Sequence, residues 1–190
     1  MRKISTKKLV VCALLMALTT VATLVIQIPI TVVGGYINLG DVFVILGSLM
    51  LGPIYGGISA GVGSMIEDLI SGYAIYAPAT LIIKGLMAVV VSLIHIGLKK
   101  FIKPTIPCAI IGGLVAEILM VLGYFFYESV VLGFGLTASA SMLFNLIQGG
   151  VGLALGVFIY SALYLTGVIK KFDAQGEPKG KNHKVIDNKK

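Results

Sequence analysis

The chain has 190 residues, of which 57% are hydrophobic and only 12% are charged, and its mean hydropathy is +1.01. This composition excludes an ordinary soluble domain and indicates an integral membrane protein, because the apolar runs are long enough to cross about 30 Å of hydrocarbon. The net charge of +7 does not indicate nucleic-acid binding, since no soluble domain exists to present a groove-reading element.

Proline, glycine and charged residues divide the chain into six apolar segments. The first follows a basic N-terminus, as in a signal peptide, but it is too long for the apolar core of one, so we predict a retained helix. The second is short and ends at Gly52-Pro53. This predicts a tilted segment, or one that packs at one end against protein rather than lipid. We therefore predict an all-α membrane protein whose six transmembrane helices span residues 9–29, 39–51, 54–71, 79–98, 106–127 and 136–169.

The basic residues predict the orientation of these helices. With six spans and a cytoplasmic N-terminus, every lysine and arginine except Lys84 falls on the cytoplasmic side, where positive charge is favoured. Both termini are then cytoplasmic. We predict a basic N-terminus over residues 1–8, a membrane domain over residues 9–171 and a disordered tail over residues 172–190.

Motifs that would indicate an enzyme are absent from the sequence. The two histidines, His95 and His183, do not belong to a zinc-protease or hydrolase motif, and no phosphate-binding loop is present. We therefore predict neither a catalytic activity nor a bound metal or cofactor.

Scarce charged residues cluster towards the outer half of the predicted bundle. Asp41, Glu67 and Asp68 are predicted to lie at a membrane depth similar to that of Lys84. Lys84 could therefore form a structural ion pair or contact a ligand directly. Glu117 lies in the middle of the fifth predicted helix. A carboxylate at that depth is expected to be protonated, paired with Lys84, or facing a wet cavity.

Aromatic and amide side chains accompany these charges. Asn145 and Gln148 are three residues apart and share a helix face. Tyrosine faces, amides and a few charges suit a planar, polar heterocycle, although an interfacial tyrosine belt is the alternative. Asn38 and Asp41 also have the composition of a turn or helix cap.

Pairs of small residues four apart indicate close helix packing. Ala13 and Ala17 form such a pair on the first helix, and glycines repeat in the same way on the third. Their partner is either another helix of the bundle or a second protein.

The sequence resembles the substrate-binding S components of energy-coupling factor (ECF) vitamin transporters, most closely the riboflavin, hydroxymethylpyrimidine and pyridoxine group. The resemblance covers residues 8–171. It rests on the order of four features: Ala13-x-x-x-Ala17, Gly35-Tyr-Ile-Asn-Leu-Gly-Asp41, Gly52-Pro53 before a glycine-rich helix, and Tyr76-x-Pro78-x-Thr80-Leu-Ile-Ile-Lys84-Gly85.

The resemblance implies a multi-pass protein of a prokaryotic plasma membrane that binds a vitamin from outside. It implies partners as well: a membrane-embedded T component, contacted through Ala13 and Ala17, and two cytoplasmic ATPases that power delivery as the S component topples. The first outer loop, residues 30–38, is expected to close over the ligand.

The resemblance and the residue chemistry together give a set of expected ligand contacts: Tyr36, Asn38, Asp68, Tyr76, Thr80, Lys84, Glu117, Tyr124, Asn145 and Gln148. A cation and a carboxylate favour hydroxymethylpyrimidine or pyridoxine, with riboflavin next. A stand-alone secondary transporter, coupled to ions or protons through Glu117 and Asp68, is the alternative.

Overall fold

A computed structural model describes residues 6–30 and 35–169 of this chain. Three parts of the chain lie outside the described residues: residues 1–5 of the predicted basic N-terminus, residues 31–34 of the expected loop, and the tail predicted to be disordered. The five long helices are α1 (Thr6–Val25), α2 (Gly40–Ile70), α3 (Ala77–Leu98), α4 (Thr105–Phe126) and α5 (Ser139–Leu165). All five are long and apolar enough to cross a membrane.

Helix α2 contains a sharp reversal at Gly52. This residue has φ 80° and ψ −176°, a conformation that is essentially restricted to glycine. In a straight helix, residues 48 and 56 would lie about 12 Å apart along the axis. Here a methyl group on Gly56 would come within 2.8 Å of the Ser48 Cα, so the two arms of α2, residues 40–51 and 53–70, pack against each other.

The reversal falls where the sequence analysis separates its second and third helices. The six predicted segments thus occupy five long helices, of which α2 is a helical hairpin. The count of six spans and the cytoplasmic placement of both termini remain predictions.

A short β-hairpin corrects the prediction of an all-α chain. Strands β1 (Gln27–Ile30) and β2 (Gly35–Asn38) pair in antiparallel register, with Gln27 opposite Asn38. The predicted first helix extended to residue 29, but α1 ends at Val25. Because the strand spans only four residues and contains Pro29, its sequence carries little strand signal. The backbone groups of β1 nevertheless find hydrogen-bond partners on β2, so this segment does not need to be helical.

The later predicted helices agree more closely with the structure. α3 and α4 begin and end within two residues of residues 79–98 and 106–127. The predicted sixth helix, residues 136–169, begins instead with a 3-10 turn at Gly135–Ala138 and continues as α5 to Leu165. A π-helical turn at Tyr127–Val131 follows α4.

Glycines allow the helices to approach closely. A methyl group on Gly63 would lie 2.7 Å from the Met16 carbonyl oxygen on α1, and one on Gly61 would lie 2.6 Å from the Leu81 carbonyl oxygen on α3. The stripe of small residues on the second arm of α2 therefore packs inside the bundle. We call the end of the bundle that bears β1 and β2 the hairpin end.

Candidate ligand-binding site

A cavity opens at the hairpin end of the bundle. It contains about 480 Å³ of empty space, part of which is open to solvent. Its lining comes from α1 to α5, β2 and the turns at Tyr76 and Glu128. The lining residues are Thr23, Tyr36, Asn38, Ser64, Asp68, Tyr76, Thr80, Lys84, Tyr124, Glu128, Asn145 and Gln148.

The cavity brings together nine of the ten expected ligand contacts, all except Glu117. Thr23, Ser64 and Glu128 complete the lining and were missed. A single hydroxyl on an apolar helix does not stand out in a sequence, so Thr23 and Ser64 carry no usable signal. Glu128 could have been found, since it is a carboxylate in the short connection between the fifth and sixth predicted helices.

An ion pair forms the base of the cavity. The Lys84 ammonium group contacts Asp41 Oδ1, and both side chains are almost fully buried. Gln148 donates from Nε2 to Asp41 Oδ2 at 2.6 Å, and Lys84 Nζ lies 3.0 Å from Met120 Sδ. We call these four residues the floor. Of the carboxylates proposed for Lys84, it is Asp41 that forms the structural ion pair.

Asn38 joins β2 to the floor. Its backbone N–H donates to Gln148 Oε1 at 2.9 Å, and its side-chain oxygen accepts a hydrogen bond from the backbone N–H of Gly40 at 2.8 Å. Asn38 thus serves the turn that leads into α2, as its turn composition predicts, and it also lines the cavity.

Asp68, Thr80 and Tyr124 form what we call the wall. Thr80 Oγ1 and the Tyr124 hydroxyl are 3.0 Å apart. Asp68 Oδ1 accepts a hydrogen bond from the Tyr36 hydroxyl at 2.5 Å, whereas its Oδ2 is buried without a hydrogen-bond partner among the described residues. The wall therefore offers the Asp68 carboxylate, beside which the Thr80 hydroxyl also lies, to a ligand N–H or O–H.

Tyr36 also contacts Glu67. Its single hydroxyl hydrogen is shared between Glu67 Oε2 and Asp68 Oδ1. Burial raises the pKa of Tyr36 far above its ordinary value, and the charge of Asp68 raises it further. The hydroxyl therefore keeps its hydrogen and acts as the donor to these carboxylates.

A family model described as ECF-type riboflavin transporter, S component matches residues 3–165. The chain belongs to this family. S components are the substrate-binding subunits of ECF transporters, so the predicted family and its membrane location are confirmed. The S component described here is also 35% identical over 137 residues to a protein of Pyrococcus woesei described as an uncharacterized protein in the gap 3'region, covering 72% of this chain and 88% of that one.

A solved structure shows that the fold is shared. The structure titled "Structure and mechanism of the S component of a bacterial ECF transporter" matches with a TM-score of 0.69 and 23% identity. The match covers 84% of this chain and 96% of the other.

Glu117 lies outside the cavity lining of this S component. It precedes Met120 by one turn of α4, which places it beneath the floor, and neither carboxylate oxygen has a hydrogen-bond partner among the described residues. A methyl group on Gly149 of α5 would lie 2.7 Å from Glu117 Oε2. The pairing with Lys84 that the sequence left open is not formed, because Lys84 pairs with Asp41.

The two alanines of α1 are both exposed in this S component. Ala13 and Ala17 lie on the side of α1 that faces away from the bundle, while Cys12, Leu15, Thr19 and Thr23 are buried. The alanines therefore do not pack against the part of the chain that the structure describes.

Proposed function

We propose that this S component binds a water-soluble vitamin in the cavity at the hairpin end, with riboflavin as the first candidate. The observation that carries the proposal is the convergence of polar side chains from all five helices and β2 on one cavity in an otherwise apolar protein. In a bilayer such groups are costly unless they are paired or serve a ligand.

Two observations favour riboflavin over the smaller rings that the sequence analysis placed first. The preference for hydroxymethylpyrimidine or pyridoxine rested on the presence of a cation and a carboxylate, but the cation, Lys84, is paired with Asp41. The description of the matching family model also names riboflavin as the transported vitamin. A flavin ring N–H is a suitable donor for Asp68 Oδ2, tyrosine faces suit its planar rings, and hydroxyls such as those of Thr80 and Tyr124 suit its polyol chain.

For transport, we propose that the hairpin end faces outwards and that the S component hands its cargo to a T component and two ATPases by toppling. The exposed pair of small residues on α1, Ala13 and Ala17, supports a helix contact with the T component, because a flat surface permits close packing.

The test begins with the purified full chain in detergent. Mass spectrometry identifies any small molecule carried through purification, and calorimetric titrations then compare riboflavin, hydroxymethylpyrimidine and pyridoxine. We expect riboflavin to bind, and the Thr80→Val and Tyr124→Phe variants to bind it more weakly. Ser161→Ala, whose hydroxyl bonds only within α5 far from the cavity, is the control. Binding of none of the three vitamins would contradict the proposal.

A proton-coupled secondary transporter remains the second candidate, on the strength of one observation. The carboxylate of Glu117 is buried and lacks a hydrogen-bond partner among the described residues, as expected of a proton carrier. Vitamin uptake into liposomes that contain only this chain, driven by a proton gradient and abolished by Glu117→Gln, would favour this candidate. Uptake that requires the T component and ATPases would favour the S-component mechanism.

A further inference from the structure

Glu67 holds both strands of the β-hairpin without lining the cavity. It lies near the end of the second arm of α2 and is fully buried. One carboxylate oxygen accepts a hydrogen bond from Gln27 on β1, and the other accepts one from Tyr36 on β2. A single carboxylate thus ties the two strands to one helix end.

Neighbouring groups reinforce this attachment. Gln27 Nε2 also donates to Ser71 Oγ at 2.9 Å, and Ser71 Oγ donates to Glu67 Oε1 at 2.6 Å. The Glu67 carboxylate therefore has three donors from two strands and its own helix. Hydrogen bonds to an ionised carboxylate are stronger than those between neutral groups, and a buried carboxylate left without them is strongly disfavoured.

The attachment bears directly on access to the cavity. Tyr36 is a lining residue, so the contact that fixes its hydroxyl also fixes its ring over the cavity. We infer that Glu67 is a positioning residue: it holds the β-hairpin and Tyr36 over the cavity, and thereby controls how readily the cavity opens and how fast a ligand leaves. The effect on ligand release rests on the proposed function, but the effect on opening does not.

The opening is measured without ligand by the reactivity of a cysteine placed in the cavity. Ser64 lines the cavity and is buried, and Ser64→Cys is made in the full chain after Cys12→Ala and Cys108→Ala remove the native thiols. A water-soluble maleimide is expected to reach this buried position faster when the hairpin is released. We expect Glu67→Gln to raise the labelling rate about tenfold, because it replaces one strong acceptor oxygen by an amide donor.

Three further variants separate a positioning role from general damage. Tyr36→Phe should also raise the labelling rate, and it decides the matter if Glu67→Gln does not fold. Adding Gln27→Leu to Glu67→Gln should raise the rate by less than the two single effects combined, since both changes break the Gln27–Glu67 contact and only the Gln27–Ser71 bond is lost in addition. Ser161→Ala should leave the rate unchanged. Unchanged labelling in Glu67→Gln and Tyr36→Phe, or additive effects of Gln27→Leu and Glu67→Gln, would overturn the inference.

Dissociation of the vitamin provides the second measurement. We expect the folded Glu67→Gln variant to release riboflavin about tenfold faster than the unaltered chain. Faster labelling in a chain that binds no vitamin would retain the role of Glu67 in opening while contradicting the proposed function. Normal vitamin binding with unchanged labelling would support the proposed function while contradicting the role of Glu67 in opening.

Discussion

Asp41 in the floor and Asp68 in the wall are both buried aspartates, yet their surroundings differ. Asp41 is held by Lys84 and by Gln148, so both of its oxygens are satisfied. Asp68 has Tyr36 on one oxygen and no partner among the described residues on the other. A satisfied charge holds helices together, whereas an unsatisfied oxygen in a cavity is available to a ligand. We therefore expect changes in the floor to affect folding and changes in the wall to affect binding.

The largest expected effect is that of Lys84→Met. It leaves Asp41 charged and buried without its counterion, which typically costs about 3–5 kcal/mol. The melting temperature in detergent should fall steeply. The double variant with Asp41→Asn should recover much of the loss, because it removes the unpaired charge. An unaltered melting temperature in Lys84→Met would show that the floor is not structural.

Gly152→Ala tests the floor sterically. A methyl group there would lie 2.6 Å from the Asp41 Cβ, so either Asp41 or α5 must shift. We expect a loss of about 1–3 kcal/mol in unfolding free energy, as for overpacked cores. Gly150→Ala on the same helix meets no atom within 4 Å and is the matched control. Equal melting temperatures for the two variants would contradict the close packing of α5 on Asp41.

Asp68→Asn is expected to affect binding rather than folding. Asparagine can still accept the hydrogen bond from Tyr36, but it loses the charge offered to the ligand. Vitamin affinity should fall about tenfold, the usual effect of one charge-assisted hydrogen bond, with little change in melting temperature. Calorimetric titration measures the affinity. Full affinity in this variant would place the ligand away from the wall.

The smallest effect on the isolated chain is expected from Ala17→Leu. Ala17 is exposed, so neither folding nor vitamin binding should change. Co-purification with the T component and ATPases should decrease, because a bulky side chain prevents close helix packing. Ile118→Phe on α4, a similarly exposed site, is the control. Normal assembly of Ala17→Leu would remove α1 from the proposed interface.

Much of the fold could be predicted from local sequence. Hydropathy and the Pro and Gly positions locate α3 and α4 within two residues, because a helix in lipid must be apolar along its whole length. The residues of the cavity could be selected for the same reason: polar side chains are rare and conspicuous in such a chain.

Long-range geometry could not be predicted in the same way. The sequence offered Lys84 three carboxylates at a similar level, and only the folded helices select Asp41. The β-hairpin depends on pairing between residues that local propensity does not connect. Glu117 was expected in the cavity because helix depth can be estimated from sequence, whereas the direction of its side chain depends on how α4 rotates against α5.

The reversal at Gly52 has a consequence for how the protein is made. The first arm of α2, residues 40–51, is about 18 Å long, far short of a bilayer's hydrocarbon thickness of about 30 Å. It is shielded by protein, and the partner of Asp41 on α5, Gln148, lies 107 residues further along the chain. While the chain is being synthesised, this arm emerges long before α5 can cover it. A chain truncated before α5 would thus lack both the cover of this arm and one partner of Asp41.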